Sequence, residues 1–330
     1  MARDHGMLTH RNSEPEPPAR VVVLGARGFI GRTLVAALRR AGVAALPVSR
    51  EDLDLAADGA ADRLAAMLEP DDAVVMLAAL TPDKGRGLKP FITNIQMAAS
   101  LCDALGKVTP AHVVYFSSDS VYPMAAGLVS EASCCDPDDL YGTMHRTREM
   151  MVESATSAPV AVLRSTLVYG AGDTHNSYGP NRLRRTAHND GKITLFGEGE
   201  ETRDHILVDD VAALTTLVLS HRSTGAVNLA TGRSVSYAAL ARKIAALFDG
   251  PADIIGTPRQ NPITHRHFAV TAIHKAFPTF VFTPLDEGLA KAHADMLREG
   301  GGNGGDQPAQ ALSAGQAQDG EAALARSSQP

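Results

Sequence analysis

The chain of 330 residues predicts an α/β fold, a doubly wound parallel sheet with a smaller C-terminal lobe. Three observations support this fold class. Short continuous apolar runs, typical of parallel strands covered on both faces, recur along the chain. Segments of helical periodicity lie between these runs, which indicates β-α-β-α order. After about residue 170 the sequence changes to glycine-rich loops with short helices, which favours a smaller lobe.

The elements follow in chain order. The first strand is predicted over residues 21–24, where the sequence is VVVL. Ile30, Leu34 and Leu38 then recur every four residues and mark the buried face of a helix that ends near Gly42. Further strands are predicted at residues 73–77, 112–116, 160–163 and 193–196, and helices at residues 62–68, 92–105 and 141–154.

Both terminal segments are predicted to be disordered. Residues 1–19 carry a proline-rich acidic run, and residues 298–330 are rich in Gly, Ala, Gln, Ser and Asp without an aromatic side chain. Such compositions bury too little apolar surface to offset the entropy of ordering. The predicted organisation is therefore a sheet domain over residues 20–170 and a lobe over residues 171–297 that returns strands to the sheet.

Composition excludes several classes of partner. The formal net charge is -6 and no sustained Lys/Arg block occurs, which argues against nucleic acid and anionic membrane surfaces. No apolar run reaches ~18 residues, so we expect no membrane-spanning segment. Only three cysteines occur and two are adjacent, which provides no disulfide framework and predicts a reducing, cytoplasmic location.

Gly25, Gly28 and Gly31 stand between the first strand and the first helix with the spacing G-x-x-G-x-x-G. Glycines at this point allow a tight turn and let the backbone approach a pyrophosphate at the positive end of the helix. A glycine-rich pattern alone is also compatible with an ordinary turn. Its position after a strand and before a helix favours dinucleotide binding on a Rossmann sheet.

This spacing resembles the extended branch of the short-chain dehydrogenase/reductase superfamily, and the resemblance covers about residues 20–297. The later landmarks are similar to those of the nucleotide-sugar epimerases and dehydratases in that branch. In chain order they are the adenine-contacting pair Asp54-Leu55, the strand end at residues 77–79, the serine segment SSDSVY at 117–122, the tyrosine segment Tyr141-Gly142, and the segments LVYG at 167–170 and RDHILVDD at 203–210.

The resemblance implies that Ser118 hydrogen-bonds a substrate oxygen while Tyr141 passes the proton. Four positions after the tyrosine, where the superfamily carries a lysine, this chain carries His145. The lysine lowers the pKa of the tyrosine and holds the ribose of the cofactor. An imidazole that is mostly neutral near pH 7 performs the first of these functions poorly. We therefore expect slow proton transfer, with cofactor binding largely retained.

Two arginines favour NADP over NAD. Arg50 follows the second strand, where NAD-specific proteins place an acidic residue, and Arg27 lies in the glycine loop. The same pairing is found in members that resemble GDP-fucose synthase. Glu51 and Asp52 keep NAD as the alternative cofactor. The residues expected to contact the nucleotide are Gly25, Arg27, Gly28, Phe29, Ile30, Gly31, Arg50, Asp54, Leu55, Leu77, Ala78, Ala79, Tyr141 and His145.

The substrate residues depart from the fucose synthase pattern. Ser120 stands where those enzymes have an active-site cysteine. Tyr178 stands where they have a histidine that acts as an acid, and the nearby His175 is a candidate to replace that histidine. Arg203 resembles the diphosphate clamp of the family, with a salt bridge to a neighbouring aspartate, Asp209 or Asp210, as the alternative. The expected substrate-binding residues are Ser118, Asp119, Ser120, Asn176, Asn181 and Arg203.

Together these features predict an NAD(P)-dependent epimerase, dehydratase or reductase of a nucleotide sugar. Residues 20–170 are then the cofactor-binding domain and residues 171–297 mainly the substrate-binding lobe. The alternative is a cofactor-binding member of the fold in which His145 impairs catalysis. Such a protein would serve as a regulator or binding protein. A reductase of a small non-sugar carbonyl is a third possibility, against which Arg203 argues. The family often dimerises, so a homodimer is expected.

Overall fold

The structure is a computed structural model, and it describes residues 7–173, 179–250, 252–259 and 261–300. The strands are β1 (Arg20–Leu24), β2 (Ala45–Val48), β3 (Asp72–Met76), β4 (His112–Ser118), β5 (Leu128–Val129), β6 (Val160–Ser165), β7 (Leu167–Tyr169), β8 (Lys192–Phe196), β9 (Thr202–Arg203), β10 (His205–Leu207), β11 (Gly225–Leu229), β12 (Val235–Ser236), β13 (Asp253–Thr257) and β14 (His267–Phe268). The helices are α1 (Phe29–Arg40), α2 (Ala60–Ala65), α3 (Leu88–Lys107), α4 (Leu140–Ala155), α5 (Pro180–Asp190), α6 (Val208–Ser220), α7 (Tyr237–Ala245), α8 (Thr271–Ala276) and α9 (Leu285–Gly300).

A six-stranded parallel sheet forms the centre of the fold, in the order β11-β6-β4-β3-β1-β2. The chain leaves β1 towards β2 and then crosses back to β3 on the other side of β1. The strand order therefore reverses between β1 and β3, and ligands of doubly wound sheets bind at the carboxyl ends of strands at such a point. This topology confirms the fold class predicted from the sequence.

The sheet is buried on both faces, which explains its continuous apolar strands. In β1, Val21 and Val23 belong to one apolar cluster, whereas Val22 and Leu24 belong to the cluster on the opposite face. Alternate side chains of a strand point to opposite faces, so a strand covered twice has no polar position.

The two outer strands of the sheet are β2 and β11. The amide of Val21 in β1 donates to the carbonyl of Ala44, just before β2, and the amide of Gly25, just after β1, donates to the carbonyl of Val48. Alternate residues of β2 therefore turn their backbone groups away from β1. Pro47 is one of these outward residues, which is where a residue without an N–H is tolerated in a sheet.

The C-terminal part of the chain contributes both to the sheet and to a second core. β11 pairs with β6 in the central sheet, and the described residues up to Met296 form one compact unit. The predicted strand at residues 193–196 is observed as β8, which lies outside the central sheet. It pairs with β13 in a two-stranded sheet, and its residues alternate between exposed and buried. The core of this part includes Leu183, Ile193, Leu195, Leu240 and Ile244.

The N-terminal segment differs from the prediction of disorder. Thr9 exchanges two backbone hydrogen bonds with Thr224, at 2.9 and 2.8 Å, and Met7 bridges to Ala226 at the start of β11. The His10 ring bonds the hydroxyl of Ser223, 2.8 Å away. Composition missed this segment because main-chain pairing with residues distant in sequence, together with the burial of Leu8 in the core, holds it.

The C-terminal tail, residues 301–330, lies outside the described residues, as do Asn176, His175 and Tyr178. Within the described ranges, no helix combines the length and the apolar character needed to cross a membrane.

Candidate active site

The glycine loop between β1 and α1 forms a cradle that only glycine fits. Gly25 has φ +90°, and a Cβ there would lie 2.8 Å from the amide nitrogen of Ala78. A Cβ on Gly31 would lie 2.3 Å from the carbonyl oxygen of Gly25. The loop thus packs directly on the end of β3, and Gly28 is the N-cap residue of α1. Phe29 and Ile30 are half-buried in the first turn of this helix.

This cradle fits a dinucleotide. The first N–H groups of α1 have no acceptor within the helix, and they lie at the positive end of its dipole. No side chain of the N-cap residue occupies them, because that residue is Gly28. The expectation for Gly25, Gly28 and Gly31 therefore agrees with the geometry that a pyrophosphate requires.

The floor of the site is the segment that follows β3. Leu77 continues the pairing with β1 by donating its amide to the carbonyl of Leu24, 2.9 Å away. Ala78 and Ala79 are half-buried next to it. The buried side chain of Asn94, from α3, accepts a hydrogen bond from the amide of Leu80 and donates to its carbonyl, at 2.8 and 2.9 Å. Asn94 thus fixes the course of the backbone under the cofactor position.

Ser118 ends β4 on the same edge of the sheet. Its hydroxyl accepts a hydrogen bond from the amide of Ser120 at 3.1 Å and lies 3.2 Å from the Ser120 hydroxyl. Ser117, in contrast, points into the protein, where its hydroxyl donates to Glu149, 2.6 Å away. The structure therefore leaves Ser118, rather than Ser117, on the side of the site.

Tyr141 enters the site because α4 begins in close contact with the serine segment. A Cβ on Gly142 would lie 2.0 Å from the carbonyl oxygen of Ser120, so the helix and the turn at Ser120 touch through backbone. Asp139 caps the helix by accepting a hydrogen bond from the amide of Gly142 at 2.7 Å. This packing places the start of α4, with Tyr141, beside the serine segment.

His145 lies one turn further along α4 and is buried. Its ring meets that of Tyr141 edge-on with centroids 4.7 Å apart. Nδ1 of His145 lies 2.9 Å from the hydroxyl of Tyr115, and Nε2 is buried without a hydrogen-bond partner among the described residues. Burial and, to a smaller extent, the charge of Arg148 lower the pKa of His145 to about 3 against the opposing charge of Glu149, so the ring is neutral at pH 7.

The phenol of Tyr141 is held in its protonated form. Burial raises its pKa above the ordinary value, and the neighbouring Tyr115 and Asp119 raise it as well. Because His145 carries no charge, it does not oppose these effects. The geometry therefore agrees with the expectation that Tyr141 is a weak base at neutral pH.

The residues at the end of β2 are arranged in exposed ion pairs. Arg27 pairs with Glu51, and the guanidinium of Arg50 lies 3.1 Å from a carboxylate oxygen of Asp54. Both arginines are largely exposed. The side chain of Leu55 is buried in the core of the sheet, so Leu55 offers a ligand only its backbone.

Asp119 and Arg203 lie on the substrate side. Burial raises the pKa of Asp119, and the charges of Arg266 and Arg203 oppose this rise. Arg266 pairs with the Asp119 carboxylate at 3.4 Å and also bonds its carbonyl oxygen at 2.7 Å. Arg203 donates to the carbonyl and the hydroxyl of Thr264, at 2.7 and 2.8 Å.

The alternative of a salt bridge from Arg203 to the neighbouring aspartates is not realised. Asp209 pairs with Lys291 at 3.2 Å, and Asp210 accepts hydrogen bonds from Thr283. The charge of Arg203 thus has no carboxylate in an ion pair within the described ranges.

Asn181 is placed away from its expected role. It is buried, its Oδ1 accepts from the amide of Gly170 at 3.2 Å, and its Nδ2 donates to Asp173 at 2.7 Å. Both ends of the amide are therefore engaged inside the protein, where they fix the turn after β7. Asn176, its expected partner in substrate binding, lies outside the described residues.

Three residues around the site were not predicted from the sequence. Asn94, Tyr115 and Arg148 are buried in α3, β4 and α4, where each fits an ordinary helical or strand pattern. Arg148 lies seven residues after Tyr141, on the face that carries His145, and this spacing was the available signal.

The fold and the site define a dinucleotide-binding protein of the doubly wound class. The chain belongs to the NAD dependent epimerase/dehydratase family, which matches residues 21–230. It is 29% identical over 229 residues to dTDP-4-dehydrorhamnose reductase from Streptomyces griseus, covering 66% of this chain and 72% of that protein. Two further relatives are matched over 51% and 38% of their own lengths. The match confirms the family predicted from the sequence.

Solved structures agree with this assignment. MoeE5 in complex with UDP-glucose and NAD is 25% identical, with a TM-score of 0.71, and the match covers 85% of this chain and 99% of that one. A GDP-L-fucose synthetase from Naegleria fowleri bound to NADP shares the fold with a TM-score of 0.76 at 16% identity, covering 88% and 98% of the two chains.

Proposed function

We propose that this protein is an NADP-dependent epimerase, dehydratase or reductase that acts slowly on a nucleotide sugar. The observation that carries the proposal is that the start of α4, which holds Tyr141, packs on the turn that follows Ser118, at the edge of the sheet where the glycine loop also lies. A hydroxyl and a phenol at this edge suit transfer of a proton to or from a sugar oxygen.

Each group has a part in binding. The N–H groups at the start of α1 hold the pyrophosphate, and the backbone of Ala78 lies beneath the nucleotide. Nε2 of His145, which is buried without a partner among the described residues, takes a ribose hydroxyl as its hydrogen-bond partner. The nicotinamide cofactor supplies the hydride acceptor or donor when it is bound.

Proton transfer falls to Ser118 and Tyr141. The Ser118 hydroxyl orients the sugar oxygen, and the Tyr141 phenol gives or takes the proton. Because burial raises the pKa of Tyr141 and His145 is neutral, little phenolate is present at pH 7. The reaction is therefore slow at neutral pH and accelerates as the pH rises.

NADP is the proposed cofactor because Arg27 and Arg50 flank the end of β2. Their present partners, Glu51 and Asp54, are held in exposed ion pairs. Such pairs contribute little to stability, so a 2′-phosphate displaces the carboxylates at small cost. If the carboxylates remained in place, they would accept hydrogen bonds from a free 2′-hydroxyl, which is the alternative NAD complex.

A nucleotide sugar is the proposed substrate. The relatives support this class, since one is named a dTDP-4-dehydrorhamnose reductase and MoeE5 was solved with UDP-glucose. In this chain the diphosphate would be bound by Arg203, whose guanidinium forms no ion pair among the described residues. Because Arg203 now bonds Thr264, a diphosphate would share or replace those hydrogen bonds.

The experiment combines the purified protein with NADP or NAD and a panel of dTDP-, UDP- and GDP-sugars, including 4-keto sugars with the reduced cofactors. Products are identified by mass spectrometry and NMR. We expect conversion of at least one nucleotide sugar, lost in Tyr141→Phe and reduced in Ser118→Ala. Arg203→Ala should weaken substrate binding while the matched control Arg242→Ala, an exposed arginine of α7, leaves it unchanged. Conversion that persists in Tyr141→Phe would refute the assignment.

A cofactor-binding protein without hydride chemistry is the second candidate. The observation that favours it is His145, which is buried, neutral and bonded to Tyr115 rather than charged. In that case the protein binds NADP and a nucleotide sugar, and neither is altered at any pH between 6 and 10. Binding with no product in the same panel separates this candidate from the first.

We also propose that the protein forms a homodimer through α3 and α4. These two helices pack against each other, and they carry the exposed apolar side chains Leu88, Ile92, Leu140 and Met150. A second copy would cover these side chains. Light scattering after size exclusion should give a dimer for the wild type and a monomer for Ile92→Glu/Met150→Glu; a monomeric wild type refutes the proposal.

A further inference from the structure

Arg148 is a buried charge that forms no ion pair with a carboxylate in the described part of the chain. Its side chain is only 1% exposed, although it lies on α4 three residues after His145 and seven after Tyr141. Residues at this spacing share one helix face. The guanidinium is therefore buried on the same side of α4 as Tyr141 and as His145, the residue at the position of the usual lysine.

The contacts of Arg148 are to neutral groups. Nη2 donates to the carbonyl of Ala78 at 2.9 Å, and Nη1 reaches Oδ1 of Asn94 at 3.5 Å. The guanidinium carbon lies 5.3 Å from the centre of the Tyr115 ring, whose hydroxyl bonds His145. Nε is buried without a hydrogen-bond partner, and no ion pair joins Arg148 to a carboxylate within the described ranges.

A second buried arginine, Arg164, has its charge compensated by a carboxylate. Arg164 forms two hydrogen bonds with the carboxylate of Glu149, both 2.9 Å long. A buried charge without such a partner is costly, because the protein does not replace the hydration it has lost. The charge of Arg148 is thus available to an anion that forms beside it, and the group on the same helix face that ionises during the proposed reaction is the phenol of Tyr141.

We propose that Arg148 supplies the fixed positive charge of this active site, one turn further along α4 than the residue that normally provides it. It is a positioning residue: it stabilises the phenolate of Tyr141, and it keeps His145 neutral, so that His145 stays a hydrogen-bonding group. The inference rests on the proposed function in taking Tyr141 as the group that transfers the proton.

The electrostatic directions agree with this role. The charge of Arg148 lowers the pKa of Tyr141 and of Tyr115, against the effect of burial. It also lowers the pKa of His145. These are the effects that a cation has on two acids that become anionic and on a base that becomes cationic.

The test measures the ionisation of Tyr141 directly, without substrate or cofactor. Tyr141 is replaced by a fluorinated tyrosine, which ionises at lower pH than tyrosine, and its midpoint is followed by fluorine NMR. We expect Arg148→Met to raise the midpoint by about one pH unit, equivalent to a tenfold lower ionisation constant. Arg148→Lys should restore most of the shift because it keeps the charge.

A double variant makes the test independent of the folding of Arg148→Met. His145→Lys/Arg148→Met returns one cation to the same helix face, so its midpoint should equal that of the wild type or lie below it. His145→Lys alone places two cations together and should lower the melting temperature more than the double variant does.

Three results would overturn the proposal. The first is an unchanged midpoint in Arg148→Met together with a lower melting temperature, which would make Arg148 only a support for the Ala78 backbone. The second is a midpoint in Arg148→Lys equal to that of Arg148→Met. The third is a raised midpoint in the double variant. Because the readout needs no turnover, failure of the proposed enzyme activity leaves these outcomes distinguishable.

Discussion

His205 makes the stability of this protein depend on pH in a way that one substitution isolates. The residue belongs to β10, is buried, and has no hydrogen-bond partner on either ring nitrogen among the described residues. Burial and, to a smaller extent, the charge of Arg203 lower its pKa to about 3. The unfolded chain should have the ordinary histidine pKa of about 6.5.

The direction of this pH dependence follows from the protons that the folded and unfolded states bind. Below pH 6.5 the unfolded state takes up a proton on His205 that the folded state excludes until the pH approaches 3. The contribution of His205 to the free energy of unfolding is therefore complete above pH 6.5 and is lost as the pH falls below it. Each pH unit is worth about 1.4 kcal/mol, so at pH 4.5 the loss is about 3 kcal/mol. A typical domain has only about 5–15 kcal/mol in total.

The assay compares the wild type with His205→Phe by urea unfolding from pH 8 to pH 4.5. Far-UV circular dichroism is the suitable signal because the chain has no tryptophan. The difference in unfolding free energy should move by about 3 kcal/mol in favour of the variant as the pH falls. His205→Leu checks that the larger ring of phenylalanine is not responsible, and His274→Phe, at an exposed site, is the control. A difference that stays constant over this pH range would refute the reasoning.

Three further outcomes are expected. Arg50→Ala should weaken NADP binding by about tenfold and leave NAD binding unchanged. The control is Arg39→Ala, at an exposed arginine at the end of α1, which should alter neither affinity. Equal affinity of the wild type for both cofactors in a titration would contradict the NADP assignment. Gly142→Ala should cost about 1–3 kcal/mol of unfolding free energy and most of the activity, because its Cβ would meet the Ser120 carbonyl, while Gly106→Ala, which meets no atom within 4 Å, should be neutral or stabilising. Removal of residues 300–330 should leave the melting temperature and the cofactor affinity nearly unchanged, and a loss of several degrees would show that the tail docks on the rest of the protein.

Much of the fold was predictable because its determinants are local. The apolar run at residues 21–24, the glycines that follow and the helical period of Ile30, Leu34 and Leu38 each act within a few residues. The N-terminal segment was missed because its partners, such as Thr224, are distant in sequence. The strand at residues 193–196 was found, but its pairing with β13 rather than with the central sheet depends on contacts that a local pattern does not contain.

The residues of the site likewise divide into those that a local sequence pattern reveals and those that depend on the folded environment. Ser118, Tyr141 and His145 were found because a motif of fixed spacing carries them. Arg148 was missed because burial, and not spacing alone, makes its charge matter. Asn181 was expected at the substrate, yet both ends of its amide bond to neighbours in the protein, and no sequence pattern shows how many partners an amide already has.

The two outer strands of the central sheet have a consequence for association. An open strand edge is a template on which other chains add, and it can nucleate aggregates. Here Pro47 interrupts the outer side of β2, and Thr9 and Met7 cover the beginning of β11. The N-terminal segment thus covers part of one outer strand of the sheet, and a single proline limits pairing at the other outer strand. A chain that lacks residues 1–17 would lose the packing of Leu8 in the core and would uncover the start of β11. We expect such a chain to keep its site but to aggregate more readily.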